Sequence, residues 1–247
     1  MTYCVGLKID RGIVFASDTR TNAGLDNVAC FRKMHIWDEV TDRTFVLLTS
    51  GNLAVTQAAV TLLSEQLHDP EETGPTLGTV RTMFQAARLV GAALRKIRAI
   101  NEEVMGQAAD GFTASFILGG QIKGDRMRLF QIYPEGNFIE ATEDTPFFQI
   151  GEHKYGKPIL DRVAKLSMRM GDAAKLLLLS FDSTMRSNLS VGMPIDFAIY
   201  RKDTFHMGEM ERIEAEDPYF RALSEAWSQA LRAAFEDIKS KPLVEQG

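Results

Sequence analysis

Larger apolar residues alternate with smaller or polar ones over residues 2–9 (Tyr3, Val5, Leu7, Ile9), which is the period of a β-strand. Asp10-Arg11-Gly12 marks a turn, and residues 13–16 form a second β-rich run, so the chain should open with a hairpin. Positions paired in an antiparallel hairpin sum to a near-constant value. Folding about Arg11 therefore sets Thr2 nearly opposite Asp18 to Arg20. Residues 19–27 are polar, contain Gly24 and read as a loop. Residues 31–37 and 43–49 are strand candidates around a turn at 38–42.

Ser50-Gly51-Asn52 breaks that pattern, and a helix is expected over about 53–68, stopped before Pro70. A second is expected over about 76–104, where Val80, Met83, Phe84, Ala87, Val90, Leu94 and Ile97 recur at helical spacing. Strands are expected again at 113–118, 127–133 and 138–141, helices at about 154–166 and 172–185, and strands at 195–201 and 204–210. A last amphipathic helix starts near Pro218, with Phe220, Leu223, Trp227, Leu231, Ala234 and Ile238 on one face. Strand runs separated by helix pairs, without regular strand–helix alternation, argue against a parallel doubly wound sheet. The order predicts an α+β, four-layer αββα sandwich of two antiparallel sheets. It forms one domain, with a core over about 2–212 and a helical extension over about 217–240.

Composition adds limits rather than detail. The 247 residues are 45% hydrophobic, which suits a soluble globular chain. The net charge of −5, from 28 basic and 33 acidic residues spread along the chain, offers no basic block for nucleic acid. No apolar run reaches the roughly 18–20 residues a bilayer requires, so no membrane partner is expected. Two cysteines, Cys4 and Cys30, with no secretion signal, predict reduced thiols and a cytoplasmic location.

The chemistry starts at Thr2. Once Met1 is removed, this residue carries a hydroxyl nucleophile and its own α-amine, whose ordinary pKa of about 7.7–8.0 suits a base near neutral pH. A strand beginning at once would hold both groups in place. Around this hairpin, residues 2–7, then 12–20 (Gly-Ile-Val-Phe-Ala-Ser-Asp-Thr-Arg), Gly24 and Arg32-Lys33 resemble the start of a proteasome β-type subunit. Residues 16–24 and the long C-terminal extension look most like the bacterial proteasome-related Anbu family. The resemblance runs to about Met210 and is densest before Asn52.

That resemblance implies the N-terminal-nucleophile (Ntn) hydrolase sandwich, a threonine-type peptidase, and peptide or protein substrates. It also implies a homo-oligomer, as a ring or an open-ring or spiral assembly. By it, Thr2 is the nucleophile, and Asp18 and Lys33 match the catalytic acid and lysine. Gly51 matches the glycine whose amide faces the oxyanion. Arg20 stands in the supporting layer around them. Residues 186–192 (Arg-Ser-Asn-Leu-Ser-Val-Gly) resemble the family's Arg-Asp-x-x-Ser-Gly-Gly loop. Ser190 then matches the serine that contacts the nucleophile's amine. Ser187 stands where the family has aspartate, which removes an acidic partner. The segment from Gly24 to Lys33 is about one residue shorter than the family's, so Lys33 reaches the site only if its strand keeps register. Thr21, Asn22, Phe31, His35, Thr49 and Leu53 would surround the acyl-side substrate group, with His35 read as a strand residue.

Cys4, two residues beyond Thr2, is read as core. No cofactor or metal is implied, since the four histidines lack metal-ligand spacing. Two alternatives stand beside the peptidase: a non-catalytic ring or scaffold subunit, and an Ntn amidase acting on a small amide.

Overall fold

In the computed structural model, which describes residues 2–22, 28–105 and 112–241, the opening alternation forms strand β1 (Tyr3–Ile9), hairpinned to β2 (Gly12–Asp18). Cys4 pairs with Ser17 and Val5 with Ala16, so the register continued by one step sets Tyr3 beside Asp18. The remaining elements, in chain order, are β3 (Arg20–Asn22), β4 (Val28–Cys30), β5 (Met34–Trp37), β6 (Arg43–Gly51), α1 (Leu53–His68), α2 (Met83–Met105), β7 (Ala114–Ile122), β8 (Arg128–Ile132), β9 (Phe138–Glu140), β10 (Phe147–Gly151), α3 (Lys157–Val163), α4 (Met170–Ser187), β11 (Ile195–Arg201), β12 (Met210–Ile213) and α5 (Pro218–Asp237).

Two five-stranded antiparallel sheets result, in the orders β10-β1-β2-β11-β12 and β5-β6-β7-β8-β9, with β3 and β4 a separate ribbon. Helices α3, α4 and α5 lie on the first sheet's side, and α1 and α2 cover the second. Three apolar layers fill the spaces. Tyr3, Val5, Leu7 and Ile9 of β1 pack with Leu177 and Phe181 of α4. Cys4, Ile13 and Phe15 pack between the sheets against Leu48, Ile117 and Ile150. Phe45, Leu47 and Phe116 meet Val55, Leu63 and Val90 of the outer helices. The period-2 alternation of β1 thus feeds two different cores at once. This is the α+β Ntn-hydrolase sandwich.

Several elements depart from the sequence expectation. The loop expected over 19–27 carries β3, paired to β4 through Arg20 with Cys30; Gly24 lies outside the described residues. Helix α2 starts at Met83 rather than near 76. Residues 76–82 turn instead, because Arg43 takes the carbonyls of Leu77 and Val80 at 3.0 and 2.8 Å and Thr76 bonds to Thr79. A carboxylate from elsewhere, Asp125 Oδ2, caps the helix by accepting the Met83 N–H at 2.7 Å. Strand β12 begins at Met210 rather than 204, since Asp203 and Phe205 adopt left-handed φ of 64° and 56°. Strand β10 has no counterpart in the sequence expectation.

Helix α5 is capped by Asp217, whose Oδ1 accepts the Phe220 N–H at 2.7 Å. Only the first half of its apolar face is covered: Phe220 is buried and Leu223 and Trp227 are half-buried, whereas Leu231, Phe235 and Ile238 are exposed.

Candidate active site

Register brings the site together. The Phe31 N–H donates to the Thr19 carbonyl at 2.9 Å, tying the segment before β5 to the end of β2. Lys33 precedes β5, and its carbonyl accepts the Thr49 N–H at 2.8 Å, one step beyond the Met34–Leu48 pair. The register is therefore kept despite the short preceding segment. Lys33 Nζ then donates to Asp18 Oδ1 and to the Arg20 carbonyl, each at 2.7 Å. Asp18 is fully buried and Lys33 is 5% exposed. The same Asp18 oxygen accepts the Tyr3 N–H at 2.9 Å, while Oδ2 is buried without a hydrogen-bond partner among the described residues. Burial pushes the Asp18 carboxyl upward, and the ammonium and the Tyr3 amide pull against it.

Thr2 stands half-buried at the head of β1, on the face it shares with Cys4. Its carbonyl accepts the Glu152 N–H at 2.6 Å. Gly151, at the end of β10, has φ 82°, and a Cβ there would lie 2.1 Å from the Thr2 carbonyl oxygen. Close approach of two backbones fixes the nucleophile candidate from below, and only glycine permits it. The Glu152 carboxylate folds back onto its own turn. Oε1 accepts the N–H groups of His153 and Lys154 at 2.9 Å each, and Oε2 accepts Asn188 Nδ2 at 2.8 Å. Burial would raise this carboxyl, but the Lys154 amide, the Asn188 side chain and the His153 amide hold it below the usual range. Asn188 Oδ1 in turn accepts the Ser190 N–H at 2.9 Å, and Arg20 Nη1 donates to the Leu189 carbonyl at 3.0 Å.

A cleft of about 130 Å³ opens over these residues, lined by Thr2, Thr21, Lys33, Thr49, Ser50, Gly51, Leu53 and Thr56. Gly51, φ 115°, turns β6 into α1, where Asn52 Oδ1 caps the helix by accepting the N–H groups of Ala54 and Val55. Thr2, Lys33 and Gly51 thus share one opening. Cys4 is buried behind it, its thiol donating to the Thr49 carbonyl at 3.5 Å. Burial pushes that thiol's pKa well upward, which leaves it inert.

The family model described as Proteasome subunit matches residues 2–200. Among solved structures, the Anbu (Gly-1) mutant from Hyphomicrobium sp. strain MC1 is 59% identical over 98% of this chain and 100% of its own, with a TM-score of 0.91. Anbu (ancestral beta-subunit) from Yersinia bercovieri is 45% identical over 98% and 100%, with a TM-score of 0.90. The helical assembly of the Anbu complex from Pseudomonas aeruginosa is 42% identical over 97% and 98%, also with a TM-score of 0.90. Among curated proteins, none matches significantly. The chain belongs to the proteasome family, in its bacterial Anbu branch.

Not every residue expected from the proteasome pattern falls in the cleft of this Anbu chain. Thr21, Thr49 and Leu53 line it. Phe31 and His35 do not; Phe31 is an exposed residue, and His35, half-buried, has its pKa lowered first by burial and then by Arg32. Asn22 lies on β3, and its side chain is outside the described residues, as is Met1. Ser187 ends α4 with its side chain exposed, and Asn188, the next residue, makes the link to Glu152 instead. Sequence reasoning missed Glu152, Asn188, Ser50 and Thr56. A carboxylate directly after a glycine, between an apolar run and a helix, was the available signal for Glu152. None was legible for Thr56, which enters the cleft only through its place on the first turns of α1. Among the described residues, no cluster of histidine, cysteine or carboxylate side chains is arranged to hold a metal.

Proposed function

We propose that the chain is a threonine-type peptidase in which Thr2, freed by removal of Met1, is the nucleophile. The observation that carries this reading is that Lys33, paired with the buried Asp18, lines the same cleft as Thr2 and Gly51. In the attack, Thr2 Oγ1 forms a bond to the amide carbon while its proton passes to the Thr2 α-amine. The amine then protonates the leaving nitrogen as the C–N bond breaks. Water, deprotonated by the same amine, cleaves the resulting ester and restores Thr2. The Lys33 ammonium disfavours the charged form of the nearby amine and so keeps it a base. The Gly51 amide, at the entry to α1, would meet the developing oxyanion. Asp18 holds Lys33 in place, and a buried lysine without it would carry an unpaired charge.

An exposed apolar row on α5 (Leu231, Phe235, Ile238) and the helical assembly of the Pseudomonas relative support association of this chain with copies of itself. We place it in the cytoplasm, on its two free thiols.

Intact mass and a threonine-directed electrophile test the reading together. Protein whose mass shows Met1 removed should be labelled at Thr2, and Thr2→Ala should be neither labelled nor active on peptides. Peptide hydrolysis by Thr2→Ala at the wild-type rate would refute it.

A further inference from the structure

We propose that Glu152 is a positioning residue for the Thr2 reaction, acting through its backbone on Thr2 and through its carboxylate on the Ser190 loop; this rests on the reading of Thr2 as nucleophile. Three observations converge on it. Its N–H holds the Thr2 carbonyl at 2.6 Å. Its Oε1 takes the next two backbone amides, which fixes the turn that aims that N–H. Its Oε2 takes Asn188 Nδ2, so the Asn188 oxygen faces and orders Ser190 N–H. One residue thus ties the nucleophile to the loop that faces it, where Ser187 leaves no carboxylate. The circuit closes on the other side. Arg20 holds the Leu189 carbonyl with its guanidinium, and its own carbonyl accepts Lys33 Nζ, which bonds to Asp18 and so to the Tyr3 amide beside Thr2.

The direction of the hydrogen bonds makes the carboxylate necessary. A carboxylate accepts at both oxygens, whereas a side-chain amide accepts at one end and donates at the other. In Glu152→Gln, the oxygen must stay with the amides of His153 and Lys154, which turns the new NH₂ toward the Asn188 NH₂. Rotating Asn188 relieves that contact but turns its NH₂ onto the Ser190 N–H. Either choice leaves two donors facing each other, and neither disturbs the apolar cores. The double variant Glu152→Gln/Asn188→Asp reverses the polarity. The introduced side-chain amide then donates to the introduced carboxylate, whose second oxygen accepts from the Ser190 N–H. Each of these pairings returns with the same net charge.

The test uses the full chain with Thr2 N-terminal by mass. It measures labelling by a threonine-directed electrophile, separated into affinity and maximal rate constant, beside the melting temperature. Glu152→Gln should lower the maximal rate constant by about 10- to 100-fold, the range set by misplacing a reacting group, at unchanged affinity and near-wild-type melting. The double variant should recover to within about threefold of wild type. A Glu152→Gln protein labelled at the wild-type rate overturns the inference alone, as does a folded double variant no faster than the single one. Wild type that carries a free Thr2 yet resists labelling overturns the peptidase reading, and the inference with it.

Discussion

Replacing Lys33 by Met keeps the length of the stem and removes the ammonium. Among the described residues, Asp18 then keeps the Tyr3 amide on Oδ1 alone, with Oδ2 already unpartnered, in a site with no solvent exposure. Breaking a buried ion pair from one side costs about 3–5 kcal/mol, because the remaining charge is uncompensated. In a chain of this size that is a melting decrease of roughly 6–20 °C. The pH dependence identifies the cause. Without the cation, burial is opposed far less, the Tyr3 amide still pulling against it, and the folded pKa of Asp18 rises further above the unfolded value of about 3.9. A carboxyl raised in this way favours folding below its unfolded pKa and loses that contribution as pH rises through the folded value. The deficit of Lys33→Met relative to wild type should therefore be smallest near pH 4.5. It should grow toward neutrality by about 1.4 kcal/mol per pH unit until the folded pKa is passed. Thermal melts at fixed protein concentration, in steps from pH 4.5 to 8, measure it. The further change Asp18→Asn in the Lys33→Met background should flatten the profile. A deficit that stays constant over this range would show that lost packing, not an unpaired buried carboxylate, dominates, and would refute the argument.

Gly151→Ala puts a methyl group 2.1 Å from the Thr2 carbonyl oxygen at a φ of 82°, so we expect a loss of about 1–3 kcal/mol and slower labelling of Thr2; unchanged melting and labelling would mean that the β10–Thr2 contact is not rigid. Asn52→Ala removes the acceptor for two amides at the start of α1 and should cost about 1 kcal/mol by chemical denaturation, with Asn52→Asp far milder; equal losses would remove capping as the cause. Phe235→Glu with Ile238→Glu introduces charge into the exposed end of α5. Light scattering should show a smaller assembly with unchanged circular dichroism, and an unaltered mass would place the contact surface elsewhere.

How far the sequence reached can be judged strand by strand. The β1–β2 hairpin was legible because its alternation and turn are local, and its register alone set Asp18 beside the chain start. Lys33 came instead from the family resemblance, and the ladder of β5, continued onto Thr49, is what carries it to the site. Strand β10 was not legible, for a physical reason. Phe147 packs toward the helices while Phe148 and Ile150 enter the layer between the sheets, so the adjacent Phe147-Phe148 pair breaks the alternation in a strand of only five residues. The omission mattered because β10 pairs with β1 along its whole length and delivers Gly151 and Glu152 to Thr2. Ser187 is the complementary case. A motif aligned by spacing points to the loop after α4, but the helix phase of α4 turns Ser187 to solvent, and the next residue, Asn188, bonds to Glu152. Contacts closed across 146 or more residues, such as Gln149 Nε2 to the Tyr3 hydroxyl at 2.7 Å, leave no periodic trace in the chain. The hairpin alone therefore made Thr2 and Asp18 readable and the family motif added Lys33, whereas the residues that hold them in position come from a strand and a loop that only the tertiary fold brings to the site.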